Sequence, residues 1–222
     1  MIDLLPLTQE GNEPVEWQGE TPQLRWRWQG EGVLELTPRQ PYRQAMVMSA
    51  GVHGNETAPI ELLNQLVGDL LAGRLPLRVR LLVVLGNPAA MRAGKRYLHS
   101  DMNRMFGGRY RNFAASGETV RAQQLERALA AFFDGEQAAR FHYDLHTAIR
   151  ESRLPRFGIL PFQKRPYSEP MLQLLDAADL DALVVHSAPG GTFSHYSSEH
   201  LNAASCTLEL GKARPFGSND LP

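Results

Sequence analysis

Cysteine is almost absent. Cys206 is the lone thiol, so no disulfide can close within the chain, a usage that fits a reducing compartment. Charge of either sign is not in excess: 23 Lys and Arg against 24 Asp and Glu give a formal net charge of -1. That balance argues against nucleic acid or an anionic membrane as partner, and confines any charge preference to a local site. No run of about 18 apolar residues exists to span a bilayer. The start, Met1-Ile2-Asp3-Leu4-Leu5-Pro6, lacks the basic residues and apolar core of a signal peptide. These absences lead us to expect a cytoplasmic protein. There is no Gly-Lys-Ser/Thr phosphate loop, which disfavours a nucleotide-dependent enzyme, and there are no repeats or low-complexity stretches.

What is present fits one α/β domain. The 222 residues are 43% hydrophobic and 21% charged, ordinary values for a globular chain. Leu24 to Trp28 and Val33 to Thr37 flank Gln29-Gly30-Glu31-Gly32 as a hairpin. Ala45 to Ala50 is a compact apolar run, followed by an amphipathic helix over Thr57 to Leu71. A strand over Leu77 to Leu85 closes on Gly86-Asn87-Pro88, and a helix covers Glu118 to Phe133. Further strands are expected at Phe141 to His146, Phe157 to Leu160, Ala182 to His186 and Ala204 to Leu210, with a helix over Met171 to Ala178. Alternating strands and helices predict a mixed, largely parallel sheet flanked by helices on both faces. Sites in such sheets form where strands end.

Two strand ends carry the most telling residues. Gly51-Val52-His53-Gly54-Asn55-Glu56 follows the first apolar run, and Asp144-Leu145-His146 ends a later one. Two imidazoles and a carboxylate are the ligand set of a catalytic zinc that keeps a position open for water. Such an ion lowers the pKa of its water to about 7 and polarises a carbonyl, the chemistry of amide hydrolysis. His53 and Glu56 alone are a weak signal, equally readable as a capping Glu beside a surface His; His146 at a second strand end is what raises it. Asp144 reads either as a residue orienting a ligand or as a turn carboxylate.

Glu209 lies in Thr207-Leu208-Glu209-Leu210-Gly211, among apolar neighbours where a carboxylate is costly without a partner. It is a candidate general base, with a structural ion pair as the alternative. Arg96-Tyr97 and Asp101-Met102-Asn103-Arg104 form a polar cluster that can stabilise an oxyanion or grip a carboxylate, or else a solvated loop. Cys206 reads as a small buried residue. His99, His142, His186, His195 and His200 lack ligand spacing and read as structural. Gly190-Gly191-Thr192 is a pocket loop or an ordinary turn.

Taken end to end, these segments resemble a known family. Gly51 to Thr57, Leu85 to Pro88, Gly94-Lys95-Arg96-Tyr97, Ser100 to Phe106, Asp144-Leu145-His146-Thr147-Ala148 and Thr207 to Lys212 resemble, in order, the motifs of the succinylglutamate desuccinylases. These form part of the aspartoacylase branch of the zinc carboxypeptidase-like hydrolases. The resemblance implies His53, Glu56 and His146 as ligands of one Zn2+ per subunit, and Glu209 as the carboxylate that activates water. It implies Arg96 as the arginine that polarises the carbonyl, and Asn103 with Arg104 as the pair that grips a substrate carboxylate. The implied reaction converts N-succinyl-L-glutamate and water to succinate and glutamate, the last step of arginine breakdown by succinyl transfer. A substrate with three carboxylates needs a cationic pocket, to which Arg150, Arg153 and Lys212 are further candidate contributors.

The chain departs from the family in two places. Aspartoacylase has a substrate-contacting arginine ten residues before the catalytic glutamate; that position here is Glu199, which argues against N-acetylaspartate. Family members also continue into a smaller β-rich C-terminal domain, whereas this chain stops at Pro222, so residues 1–222 are expected to be the catalytic domain alone. The partner expected is a small molecule with several carboxylates, and a homo-oligomer stays open. The alternatives are a hydrolase of another acylated amino acid or small peptide, or a metal- or ligand-binding module without turnover. Glu209 separates these, since a binding module has no use for a water-activating carboxylate.

Overall fold

The computed structural model describes residues 2–148 and 153–221. Helix α1 (Leu4–Glu10) precedes strands β1 (Gln18–Glu20), β2 (Leu24–Gly30), β3 (Val33–Pro38) and β4 (Gln44–Ala50). Helix α2 (Thr57–Leu71), β5 (Arg80–Leu85), α3 (Pro88–Arg92) and α4 (Gly117–Phe133) follow, with short 3-10 turns at Met102–Arg104 and Arg109–Asn112 before α4. The chain then runs through β6 (Ala139–Ala148), β7 (Arg156–Leu160), α5 (Glu169–Ala177), β8 (Ala182–Val185), α6 (Phe193–Leu201) and β9 (Ala204–Lys212). No described helix is long and apolar enough to cross a membrane.

The strands form one nine-stranded sheet in the order β1-β2-β3-β5-β4-β6-β9-β7-β8. The expected mixed sheet is there, and its parallel part is localised. β5, β4, β6 and β9 form a continuous parallel block, and β7 pairs β8 in parallel. The β1-β2-β3-β5 side and the β9-β7 join are antiparallel. The hairpin around residues 29–32 creates the first antiparallel ribbon, and β3 then lies against β5 with Val33 opposite Val84.

Helices cover both faces because the central strands are apolar on both. On β5, Leu81, Val83 and Leu85 join one buried cluster while Leu82 and Val84 join the other, the period-2 signature of a strand covered twice. The first cluster is closed by α1, α2 and α5 through Leu4, Ile60, Leu63, Val67, Met171 and Leu175. In α2 these apolar residues recur at helical spacing, and each fully buried aliphatic side chain contributes about 1.5–3 kcal/mol. The second cluster is closed by α4 and α6 through Ala122, Leu125, Leu129, Phe133 and Phe193, with Phe106 stacked 4.3 Å from Phe193.

On β6 and β9 that alternation changes character. Phe141, Tyr143, Leu145 and Cys206 face the first cluster, but the opposite face carries His142, Asp144 and His146 on β6 and Ser205, Thr207 and Glu209 on β9. Register pairs these residues directly: His142 with Ser205, Asp144 with Thr207, His146 with Glu209. Ser49 on β4 is the neighbour of Asp144 on the other side. A polar ladder thus runs through the sheet beneath α6 and ends at the carboxyl ends of β4, β6 and β9.

Candidate metal centre and catalytic cleft

His53 and Glu56 leave the end of β4 in a tight turn that enters α2, with Glu56 at the N-cap position. The turn can pack there only because residue 54 is glycine: a Cβ on Gly54 would lie 2.3 Å from the backbone of Ala90 and Met91. His146 comes from β6, the strand next to β4 in the parallel block. His53 Nδ1 lies 2.9 Å from Glu56 Oε1, His146 Nδ1 lies 2.8 Å from Glu56 Oε2, and the two Nδ1 atoms are 3.2 Å apart. Donors about 2.0–2.1 Å from a tetrahedral ion sit roughly 3.3 Å from one another, so these three need little movement to share one. All three residues are buried, and together they can hold a metal ion.

The outer ring nitrogens are tied down. His53 Nε2 is 3.0 Å from Asp101 Oδ1, and His146 Nε2 is 2.9 Å from Asp144 Oδ2. Carboxylates in these positions accept from Nε2–H and turn each Nδ1 atom inward toward Glu56, the usual way a ligating histidine is oriented. Burial opposes a charge on His146, but Asp144 and Glu56 outweigh it and raise its pKa well above the ordinary imidazole value. Glu56 moves the other way: burial raises its pKa, and the hydrogen bonds from His146 and His53 outweigh this to hold it far below the usual carboxylate range. Glu56 also accepts from Arg96 Nη1 at 2.7 Å and from the backbone N–H of Thr147 at 3.0 Å.

Asp144 is held in turn. Ser49 Oγ donates to Asp144 Oδ1 at 2.5 Å, and His142 Nε2 lies 2.9 Å from the same hydroxyl. Burial pushes the His142 pKa down to about 4, so the ring is neutral near pH 7. Since Ser49 has given its one proton to Asp144, His142 donates from Nε2 and accepts at Nδ1 from Ser197 Oγ, 2.6 Å away on α6. His142, expected to be structural, lies outside the group of three donors, but it belongs to the chain of contacts that ends on His146. The alternation His142-x-Asp144-x-His146 and Ser205-x-Thr207-x-Glu209 was the available signal for this ladder.

The donor set opens into a cleft of about 790 Å³ lined by His53, Glu56, Arg96, Asn103, Arg104, His146 and Glu209. All seven residues to which the resemblance assigns a site role therefore meet in one place. Glu209 is the least satisfied of them. Its Oε2 is buried with no hydrogen-bond partner among the described residues, and burial, with Glu56 and Asp144 nearby, raises its pKa. The ion-pair alternative for Glu209 finds no support in these contacts.

Asn103 Oδ1 accepts from the backbone N–H of Phe193 at 2.9 Å, and its Nδ2 approaches His146 Nε2 at 3.4 Å. Arg104 Nη1 donates back to the Asn103 carbonyl at 2.8 Å, and the rest of its exposed guanidinium borders the cleft. The loop at Gly190-Gly191-Thr192 forms the facing wall and is a pocket loop. Phe106 N–H donates to Gly191 O at 3.0 Å, and a Cβ on Gly191 would lie 2.3 Å from the Arg104 carbonyl oxygen, so only glycine allows this closeness. Arg153 and Lys212 are exposed and do not line the cleft; Arg150 lies outside the described residues. His186, Ser194 and Thr207 line it without having been anticipated as site residues.

The fold is shared with a metallo-carboxypeptidase from Burkholderia cenocepacia, which superposes with a TM-score of 0.57 at 19% identity, covering 80% of this chain and 51% of that one. The sequence makes the assignment narrower. The family model described as Succinylglutamate desuccinylase/Aspartoacylase catalytic domain matches residues 42–222, and the chain belongs to this family. The succinylglutamate desuccinylase of Serratia proteamaculans (strain 568) is 78% identical over 221 residues, covering 100% of this chain and 68% of the relative. That of Yersinia pestis (strain Pestoides F) is 61% identical over 222 residues, covering 100% and 67%. The crystal structure of succinylglutamate desuccinylase from Chromobacterium violaceum matches with a TM-score of 0.91 at 41% identity, covering 99% of this chain and 69% of that one.

Proposed function

We propose that residues 1–222 form the catalytic domain of a zinc-dependent, cytoplasmic succinylglutamate desuccinylase that hydrolyses N-succinyl-L-glutamate to succinate and L-glutamate. The observation that carries the reading is the pairing of three convergent donors, His53, Glu56 and His146, with the partnerless carboxylate of Glu209 at the same strand ends. A purely metal-binding site has no use for that last group.

The donor set suits one zinc ion per subunit, two imidazole nitrogens and a carboxylate with neighbouring carboxylates fixing the rings. When bound, zinc lowers the pKa of its water to about 7 and polarises the scissile carbonyl. Glu209 takes the proton as the water oxygen bonds to the carbonyl carbon, and returns it to the amide nitrogen as the C–N bond breaks. The raised pKa of Glu209 brings it nearer to matching both steps. The Arg96 guanidinium stabilises the negative charge that develops on the carbonyl oxygen. Arg104, with Asn103 beside it, holds a substrate carboxylate at the mouth of the cleft.

The test is release of glutamate from N-succinylglutamate beside release of aspartate from N-acetylaspartate, with zinc and with a chelator. It is run on this chain and on a form extended to the length of its relatives. Zinc-dependent turnover of the succinyl substrate alone is expected. Bound zinc with no turnover of that substrate by the extended form would overturn the proposal.

A further inference from the structure

The segment that delivers Arg96 to the cleft has almost nothing apolar to hold it. Between α3 and the Met102–Arg104 turn the chain runs without ladder hydrogen bonds, and its two large apolar side chains, Tyr97 and Leu98, are 39% and 41% exposed. Backbone contacts tie the segment upstream: Gly94 N–H to Met91 O at 3.1 Å, Lys95 N–H to Ala90 O at 3.0 Å, and Gly54 N–H to Arg96 O at 3.1 Å. Immediately after Arg96 one side chain takes over. Glu118 Oε1 accepts from the backbone N–H groups of both Leu98, at 2.7 Å, and His99, at 3.2 Å.

Glu118 is the second residue of α4, capped by Ser116. An acidic residue there ordinarily faces water and offsets the helix dipole. Here it is only 2% exposed, and its carboxylate reaches a segment about twenty residues earlier. Burial raises its pKa, and the Leu98 and His99 amides more than reverse this, leaving an ionised carboxylate below its usual range. Two adjacent amides on one carboxylate oxygen are charge-assisted bonds, the stronger kind, and they sit two residues from an arginine whose Nη1 is 2.7 Å from Glu56 Oε1.

We infer that Glu118 is a positioning residue for Arg96: it pins the backbone just beyond the arginine and so fixes where the guanidinium meets the developing charge. The inference rests on the catalytic reading of Arg96 given above. Misplacement of a reacting group by about 1 Å can cost on the order of a hundredfold in rate, so removal of the pin acts on kcat through Arg96.

The experiment is a double-mutant cycle of Glu118→Ala with Arg96→Ala, using the zinc-loaded protein, in which kcat and KM are measured per folded molecule. Amide exchange at Leu98 and His99 is followed in parallel. Glu118→Ala should lower kcat between about tenfold and a hundredfold and speed exchange at both amides, while causing no further loss in the Arg96→Ala background. Glu118→Gln, which keeps an oxygen in place, should recover most of the rate. Should Glu118→Ala not fold, Glu118→Asp withdraws the carboxylate by one methylene and serves in the same cycle. An Arg96→Ala variant with full turnover would remove the catalytic reading of Arg96. An impaired Arg96→Ala beside an unimpaired Glu118 variant, or losses that simply multiply, would overturn the positioning role alone.

Discussion

Two groups of buried charges lie at opposite ends of the same parallel block, and they are built on opposite plans. At the start of β5, Arg80 donates from Nε and Nη2 to Glu35 Oε1 at 2.9 and 2.8 Å and from Nη1 to Glu136 Oε2 at 3.0 Å. Arg27 and Gln29 fill Glu35 Oε2, Tyr42 and the Ala138 amide fill Glu136, and Phe132 lies under the Arg80 guanidinium at 4.4 Å. Every carboxylate oxygen there has a donor. At the carboxyl ends of β4, β6 and β9, the carboxylates of Glu56, Asp101, Asp144 and Glu209 surround two histidines and Arg96, and Glu209 Oε2 has no partner among the described residues. The first group closes on itself and stabilises the fold. The second holds more acceptor capacity than the protein satisfies, which is the electrostatic condition for taking up a cation.

If that contrast is right, substitutions at the two ends separate function from stability. The largest effect is expected from His146→Ala, which removes a donor and should abolish stoichiometric zinc, read by metal analysis, together with turnover. Glu209→Gln comes next. It should keep zinc and lose about 10²–10⁴-fold in kcat, roughly 3–5 kcal/mol in the barrier; full activity in that variant would exclude Glu209 as the base. At the closed end, Arg80→Met should cost about 3 kcal/mol of unfolding free energy, because it strands two carboxylates that are themselves largely buried. Its zinc content and kcat should be unchanged, and any loss of metal there would break the separation of the two ends.

The sequence displayed these two ends unequally. Thr57 to Leu71 was legible from end to end because its buried residues repeat at helical spacing and nothing interrupts them. The strand expected from Leu77 begins only at Arg80, where pairing with Ala45 starts; apolar character alone does not mark where a partner strand becomes available. Helix α6 was not foreseen. Its buried residues include Ser194, Ser197 and Ser198 because it packs against the polar ladder, so it carries no apolar period, although Thr192 does supply an N-cap bond to the His195 amide. The three residues of the candidate metal cluster were readable as motif residues. The pairing of Asp101 with His53 and the contact of Ser197 with His142 were not, because both join segments that only the tertiary fold brings together.

The smallest expected effect is also the finest probe of the comparison, since it asks whether the closed end behaves as a set of ion pairs. Burial raises the pKa of Glu35, and the hydrogen bonds from Arg27 and Arg80 outweigh it, leaving the group below its ordinary 4.5. Glu136 is likewise lowered, burial being outweighed by the Ala138 amide and Arg80. A carboxylate lowered in the folded state contributes stability that is complete above its unfolded pKa and is lost as pH falls through the folded value. The gap in unfolding free energy between the parent protein and Arg80→Met should therefore be widest near pH 6 and shrink below about pH 4.5, by up to roughly 1.4 kcal/mol per pH unit for each additional proton taken up. The lowered carboxyls of Glu56, Asp101 and Asp144 also make stability fall with acid, but they do so in both proteins and cancel in the difference. Denaturant unfolding at pH 6, 5, 4 and 3.5 gives the measurement. A gap that stays constant with pH would mean that Arg80 acts through packing on Phe132 alone, and the closed end would then be a hydrophobic contact decorated with charge.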